Sequence, residues 1–101
     1  MDFPERMREL PRFGPSLDVF SMMASGARAL FGSYRAGVTL APHAHDTDNY
    51  GTILEGELVL TVDGAERTYR AGDWYHLPPN TSHASRFPKA TRQIDFWFDP
   101  A

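Results

Sequence analysis

The chain has 101 residues, 42% of them hydrophobic, which is enough for one domain with a single small core. Ten basic and 13 acidic side chains leave a formal net charge of −3, so the chain has no basic excess with which to bind a nucleic-acid backbone. The absence of cysteine excludes disulfides, thiolate nucleophiles and thiolate metal ligands. Nucleic acid is therefore not expected among its partners.

Hydropathy along the chain excludes a membrane partner and predicts the compartment. Uninterrupted apolar runs are only a few residues long, whereas a membrane-spanning helix needs about 20 apolar residues. The first ten residues, MDFPERMREL, are charged where a secretory signal is apolar. The sequence therefore predicts a cytoplasmic protein that does not insert into a membrane.

Residues 1–27 are predicted to form an N-terminal arm and an edge strand. Proline and glycine interrupt the first 16 residues, and Glu5–Leu10 is long enough for at most one or two helical turns. The apolar segment Leu17–Ala24 that follows fits either an edge strand or a short helix. Its periodicity does not decide between these two structures.

Residues 28–101 are predicted to form a barrel domain built from short strands. Eight apolar and β-favouring runs follow one another at short intervals, at Ala29–Tyr34, Val38–Leu40, Tyr50–Leu54, Leu58–Val62, Arg67–Tyr69, Trp74–Leu77, Ala84–Phe87 and Ile94–Phe98. Turn-forming residues, above all glycine and proline, separate these runs. Short strands at this spacing, with no convincing helix among them, predict an all-β sandwich or barrel.

The clearest local prediction is a hairpin centred on Asp63-Gly64. This dipeptide separates Leu58–Val62 from Ala65–Tyr69, and Asp-Gly readily adopts the positive-φ turn that matches the twist of two strands. Pro78-Pro79 cannot donate ladder hydrogen bonds, so the strand that ends at Leu77 must stop there or lie at a sheet edge.

Three of the four histidines have the spacing of a metal site. His43 and His45 lie two residues apart, so in an extended segment both imidazoles point to the same side. His83 comes much later in the chain, where a returning strand can bring it to the same place. Three imidazoles suit Zn, Fe, Ni, Cu or Mn and leave coordination positions open. The alternative is that they are ordinary loop histidines, and His76 is expected to be a packed or hydrogen-bonded strand residue.

The residues around these histidines resemble both sequence motifs of the cupin superfamily. The matching positions are Gly37, His43, His45, Asn49 and Gly56 in the first motif and Gly72, Pro78, Asn80 and His83 in the second. The resemblance covers roughly residues 28–98 and implies an all-β, antiparallel jelly-roll barrel (a double-stranded β-helix) with a metal ion in one mouth. It also implies that His43, His45 and His83 are metal ligands.

Departures from the two motifs bear on this metal site. A glutamate, less often a glutamine, usually follows the His-x-His pair where this chain has Asn49. We expect Asn49 to be an optional and weaker fourth ligand, and without a carboxylate the site keeps the full charge of its cation. Asp46 and Asp48 are alternative ligands, although both are expected to cap the loop and face water. Asn80 replaces a usual glycine and tolerates the same positive φ, and Phe87 replaces a usual asparagine.

Arginines and aromatic residues supply further candidate site residues. Arg28 and Arg35 flank the strand that leads to Gly37, and Arg86 and Arg92 flank the turn after His83. Any of these arginines could point into the barrel mouth and bind a carboxylate through paired hydrogen bonds. Most of them are expected to be solvated surface residues. Tyr50, directly after Asn49, is the candidate for acid–base catalysis because its hydroxyl can donate a proton. The other aromatic side chains suit either the wall of a small pocket or the packing of a small β core.

The resemblance is to small single-domain, RmlC-like cupins, and loosely to the pectin-degradation cupins that linearise unsaturated uronates. It implies one divalent transition metal ion (Zn, Fe, Ni or Mn), a small-molecule ligand and a homodimer. The expected function is that of a metal-dependent isomerase, lyase or dioxygenase acting on a small polar or carboxylated molecule such as a sugar acid. The alternatives are a ligand-sensing or carbohydrate-binding cupin without catalysis and a degenerate structural cupin.

Overall fold

A computed structural model describes residues 2–14 and 18–99, which contain one short helix and nine strands. Their bounds are α1 Glu5–Arg8, β1 Asp18–Ala24, β2 Ala27–Tyr34, β3 Thr39–His43, β4 Asp48–Glu55, β5 Glu57–Val62, β6 Ala65–Arg70, β7 Trp74–Leu77, β8 His83–Arg86 and β9 Thr91–Phe98. The prediction of an all-β domain is confirmed, and so is the limit of one or two helical turns near the N-terminus.

The strands form two antiparallel sheets of a jelly roll. One sheet has five strands in the order β1-β2-β9-β4-β7, and the other has four in the order β3-β8-β5-β6. Apolar side chains of both sheets meet in one core cluster that contains Val19, Leu30, Tyr34, Ile53, Leu58, Leu60, Tyr75, Leu77, Phe87 and Trp97. The core therefore lies between the sheets, as expected for strands that alternate inward-facing apolar and outward-facing polar residues.

The apolar segment that fits either an edge strand or a short helix in the sequence is a strand, β1. β1 pairs antiparallel with β2 from Asp18↔Ser33 to Ala24↔Ala27 and forms one edge of the five-stranded sheet. Leu17 lies outside the described residues. The predicted division between residues 27 and 28 falls at the start of β2, directly after the turn that joins it to β1.

The hairpin predicted at Asp63-Gly64 is confirmed. Val62 pairs with Ala65 across the turn, and Asp63 and Gly64 have φ values of 51° and 77°. Positive φ at both central residues is the geometry that matches the right-handed twist of two paired strands. The local sequence is therefore sufficient to set the register of β5 against β6.

The N-terminal segment covers part of the outer face of the five-stranded sheet. Phe3 is buried there against Phe31, with ring centroids 5.7 Å apart, in a second apolar cluster that also holds Phe20 and Ala29. Met7 and Leu10 of the same segment pack against this cluster. The arm is thus an integral layer of the fold.

Replacing Gly56 by alanine is expected to lower the free energy of unfolding by about 2–5 kcal/mol. Gly56 has a φ of 93°, and a Cβ there would lie 2.3 Å from the Ala90 carbonyl oxygen. Gly64→Ala is the matched control because Gly64 also has positive φ but has open space around it. The control should lose only about 1–2 kcal/mol in urea denaturation. Equal losses for both variants would contradict a steric role for Gly56.

Candidate metal centre

Two neighbouring strands and the loop between β3 and β4 bring three histidines together. His43 at the end of β3 is the register partner of His83 at the start of β8, and an irregularity in the ladder separates this pair from Leu40. His45 follows in the loop, whose backbone is tied to the β7–β8 loop by a hydrogen bond from the Asn80 N–H to the His45 carbonyl. Asn80 has a φ of 63°, as predicted for a residue that replaces glycine.

The three imidazole rings converge at one point. Their centroids are 4.9 Å apart for His43 and His45, 4.3 Å for His43 and His83, and 5.5 Å for His45 and His83. One ring nitrogen from each lies within 4.8 Å of the others. Ligand nitrogens that bind one ion at about 2.1 Å in tetrahedral geometry are about 3.4 Å apart, so small side-chain rotations close the cluster onto an ion.

Backbone carbonyls hold two of these rings in the form that binds metal. The Nδ1 of His43 lies 2.8 Å from the Ala41 carbonyl oxygen, and the Nδ1 of His83 lies 3.0 Å from that of Thr81. A carbonyl oxygen can only accept, so each Nδ1 carries the proton and each Nε2 keeps its lone pair. Metal-bound histidines are oriented in this way by the partner of their other nitrogen. The donor set therefore fits a divalent transition metal ion.

Electrostatics also favour the neutral imidazole at His45 and at His83. Burial lowers the pKa of His45, and positive charge on His43, His83 and Arg28 lowers it further. Burial lowers the pKa of His83 as well, although its hydrogen bond to the Thr81 carbonyl acts in the opposite direction. Because a metal ion binds the neutral ring, both shifts extend the pH range in which the cluster can bind an ion.

The free energy of unfolding of the metal-free protein is expected to fall as the pH drops below the ordinary histidine pKa of 6.5. A lowered pKa in the folded state means that the unfolded chain binds more protons in this range. The contribution of His45 and His83 is therefore complete above pH 6.5 and is lost as the pH falls towards their lowered values. Urea denaturation across this range measures the slope, and His45→Gln should flatten it. An unchanged slope in that variant would contradict the assignment.

Asn49 lies close to the histidines, on the inner face of β4. It is buried, and its amide nitrogen donates to the Phe96 carbonyl at 3.2 Å and to Asp95 Oδ1 at 3.4 Å. These bonds turn the nitrogen towards β9. Its side-chain oxygen is then the atom available for an ion, and its role as fourth ligand stays a prediction.

The histidine cluster forms part of the wall of a cavity of about 370 Å³ between the sheets. This volume lies within the range that small-molecule sites occupy. Apolar side chains such as Leu30, Leu60 and Trp97 form much of the wall, and polar side chains interrupt it at Asn49, Gln93 and Asp95. The cavity can therefore enclose a small polar molecule beside the three histidines.

A buried polar cluster, defined as Asp95, Tyr75, Gln93 and Asn49, lines the same cavity. Asp95 accepts hydrogen bonds from the Tyr75 hydroxyl, from Gln93 Nε2 at 2.8 Å and from the Asn49 amide. Burial raises the pKa of the Asp95 carboxyl, whereas the three hydrogen bonds act against that rise. Burial, followed by the charge of Asp95, also raises the pKa of Tyr75. The cluster is a proton-bearing group next to the candidate metal ligands.

Sequence reasoning identified Asn49 as a site residue but gave Asp95 and Gln93 no role in the site. The signal that reveals the cluster is alternation along β9, where Gln93, Asp95 and Trp97 face the cavity and Ile94 and Phe96 pack on the opposite face. An acidic residue on the inner face of a buried strand is unusual unless it has partners. Those partners come from other strands and are not readable along the chain.

Tyr50 does not share the cavity with the histidines. It follows the inward-facing Asn49 in β4 and therefore points to the outer face, where its ring stacks on His76 at 4.3 Å. His76 is hydrogen-bonded in its strand, as predicted, with Nε2 2.7 Å from Asp48 Oδ1. Asp48 is thereby engaged away from the metal candidates. A catalytic role of Tyr50 stays a prediction that this placement does not favour.

The four candidate arginines have different surroundings. Arg28 lines the cavity, whereas Arg92 is buried elsewhere and pairs with Glu55 at 2.6 Å. Arg86 forms an exposed ion pair with Glu66, and Arg35 is exposed to solvent. Arg28 is therefore the candidate arginine that can contact a bound molecule.

The fold and the site define a jelly-roll barrel protein with a three-histidine cluster at one end of an internal cavity. A family model described as the cupin domain matches residues 31–94, which is more than half of the chain. The chain belongs to the cupin family. No curated protein matches the sequence.

Solved structures share this fold at low sequence identity. KdgF from Halomonas sp. superposes with a TM-score of 0.82 at 18% identity, covering 100% of this chain and 94% of that chain. A cupin superfamily protein from Desulfitobacterium hafniense has a TM-score of 0.76 at 19% identity, with 94% and 99% covered. A variant of salicylate 1,2-dioxygenase from Pseudoaminobacter salicylatoxidans gives 0.69 at 18% identity, covering 72% of this chain and 21% of that one. At these identities the likeness concerns the fold.

A transmembrane helix is not found in the described part of the chain, where no helix has the necessary length and apolar character.

Proposed function

We propose that this cupin is a metal-dependent enzyme that acts on a small polar, carboxylated molecule such as a sugar acid. His43, His45 and His83 are the proposed ligands of one divalent transition metal ion, Zn, Fe, Ni or Mn, with Asn49 as an optional fourth. The observation that carries the proposal is the convergence of three histidine nitrogens within 4.8 Å of one another on the wall of a cavity between the sheets.

The chemistry divides between the proposed ion and the protein. A divalent ion in the cluster supplies a Lewis acid that polarises a carbonyl or hydroxyl oxygen. The apolar part of the cavity wall would reduce the contact of a bound molecule with water, and the cavity would place that molecule beside the buried polar cluster. Two carbonyl hydrogen bonds fix His43 and His83, so the ligand set is organised before binding.

The buried polar cluster favours isomerase or lyase chemistry within this proposal. An isomerase moves a proton between two atoms of its substrate, and a lyase removes a proton as a leaving group departs, so both need a side chain that can hold a proton. Asp95 with its Tyr75 hydrogen bond offers a carboxyl and a hydroxyl on the cavity wall. Asp95 is therefore the proposed proton-transfer group, with Tyr75 as its hydrogen-bond partner.

Two solved structures that share the fold bear on the reaction class. One is KdgF, and the other is a salicylate 1,2-dioxygenase variant in complex with gentisate. The salicylate 1,2-dioxygenase supports dioxygenase activity as the alternative reaction class, because the gentisate in that structure is a small carboxylated molecule. Oxygen consumption separates the two classes.

Purified protein should contain about one transition metal ion per chain and convert a carboxylated substrate. Elemental analysis measures the ion, and a screen of unsaturated uronates and gentisate under air and under nitrogen measures the reaction. Equal turnover in both gases supports an isomerase or lyase, whereas turnover that requires air assigns a dioxygenase. Binding of a uronate without turnover would indicate a ligand-sensing cupin. Absence of both metal and ligand binding would indicate a structural one.

The proposal includes a cytoplasmic homodimer that does not bind nucleic acid. Exposed apolar side chains on the outer face of the five-stranded sheet support the dimer, with Trp74 60% and Phe98 45% exposed. These side chains lie apart from the cavity, so a partner there leaves the site accessible. The net charge of −3 supports the exclusion of nucleic acid.

A further inference from the structure

Unpaired polar atoms are concentrated around the cavity. Four buried side-chain nitrogen and oxygen atoms have no hydrogen-bond partner among the described residues, and three of them belong to cavity-lining residues. These three are Arg28 Nε, Trp97 Nε1 and Gln93 Oε1. Buried polar groups nearly always have partners, so such a group of atoms points to a molecule that binds between them. The set offers two N–H donors and one acceptor.

Arg28 is held in place by aromatic rings. It is the register partner of Trp97 on the adjacent strand β9, and its guanidinium carbon lies 4.8 Å from the Trp97 ring centroid. On another side it lies 6.0 Å from the ring of Phe13, which the N-terminal segment contributes. No carboxylate within residues 2–14 and 18–99 pairs with Arg28. Its positive charge therefore lies at the cavity without a paired carboxylate in the described part of the chain.

This arrangement suits a carboxylate better than a neutral group. A guanidinium presents parallel N–H groups that match the two oxygens of a carboxylate, and partial burial strengthens the charged hydrogen bonds. The three-histidine cluster supplies no anion, and the Asp95 carboxyl on the cavity wall accepts its hydrogen bonds from Tyr75, Gln93 and Asn49. A ligand that carries its own negative charge would neutralise the Arg28 guanidinium.

We propose that Arg28 is the residue that selects a carboxylated substrate, with Trp97 Nε1 as a second donor and Gln93 Oε1 as the acceptor for a substrate hydroxyl. The inference rests on the proposed function and names the group of the substrate that each side chain contacts. The preferred ligand is a hydroxylated monocarboxylate that lies between Arg28 and the three-histidine cluster.

The test compares D-galacturonate with its methyl ester, which differ in the charge of one group. NMR titration measures both affinities on metal-free and zinc-loaded protein. Arg28→Met should weaken galacturonate binding by about tenfold to a hundredfold and leave the ester unaffected. Arg28→Lys, which keeps the charge but loses the paired donors, should give a smaller loss. Arg35→Met is the matched control because Arg35 is exposed, and it should bind both probes as the unmodified protein does.

Three results would overturn the inference. They are equal affinity of the unmodified protein for the acid and its ester, unchanged galacturonate binding in Arg28→Met, and no saturable galacturonate binding at all. If Arg28→Met does not fold, the same comparison on Arg28→Lys decides. Failure to bind zinc would count against the proposed function alone, because the metal-free titration still measures the role of Arg28.

Discussion

Replacing His83 by alanine is expected to abolish metal binding. His83 is the buried member of the cluster, and its Nδ1 hydrogen bond to the Thr81 carbonyl fixes Nε2 as a ligand atom. Two imidazoles remain after the change, and removal of a directly bound ligand costs more than the ten- to hundredfold that loss of a supporting hydrogen bond costs. We therefore expect metal content to fall from about one ion per chain to near zero, and apparent affinity to weaken by about a hundredfold or more.

The control for this prediction is the fourth histidine. His76→Ala removes an imidazole that bonds to Asp48 on the outer face, and it should leave metal content unchanged. His43→Ala repeats the test at an exposed position, where a loss of folding is a smaller concern. Elemental analysis after dialysis measures all three variants. Metal retained in both His83→Ala and His43→Ala would refute the three-histidine site.

The second large effect is expected from Asp95→Asn, which should reduce turnover of the active substrate by about a hundredfold to ten-thousandfold. Asparagine keeps the shape of aspartate but cannot take up or release a proton. The fold can accept it, because the side-chain amide of Gln93 can rotate and offer its unpaired Oε1 to the new N–H₂ group. That rotation also removes the proposed acceptor for a substrate hydroxyl, so turnover is compared at saturating substrate. Metal content should stay at the level of the unmodified protein, which separates this effect from the loss of His83.

Tyr50→Phe distinguishes the two candidates for proton transfer. Tyr50 stacks on His76 outside the cavity, so its change should leave turnover unaltered. Tyr75→Phe removes the hydroxyl that donates to Asp95 and should reduce turnover. Steady-state rates with saturating substrate measure all three variants. Full activity of Asp95→Asn together with an inactive Tyr50→Phe would return the role to Tyr50.

Short-range sequence features predicted the fold and the histidine cluster well. Gly37, Gly56 and Gly72 all have φ near 90°, so each motif glycine occupies a turn that a residue with a Cβ rarely adopts. Asn80 takes the same kind of conformation where the motif usually has glycine. The His-x-His spacing predicted shared orientation of His43 and His45. All of these depend on neighbours in the chain, and local backbone preference determines them.

The buried polar cluster could not be predicted in the same way, because it forms through contacts between strands that are distant in the sequence. Tyr75 lies on β7 and Asp95 on β9, and they meet because β4 pairs with both strands. Strand alternation bears on the prediction made for Tyr50. Consecutive residues of a regular strand face opposite sides, so an inward Asn49 excludes an inward Tyr50. The predicted ligand role of Asn49 and the predicted catalytic role of Tyr50 therefore fall on opposite faces of β4, and both stay predictions.

The β3–β8 pairing places His43 opposite His83, although they lie far apart in the chain. An ion bound there would act as a cross-link that only the folded state can form. Stability would then rise with the logarithm of free metal concentration above the dissociation constant. Thermal unfolding in a series of metal buffers would consequently rank the affinities of Zn, Fe, Ni and Mn without any knowledge of the substrate.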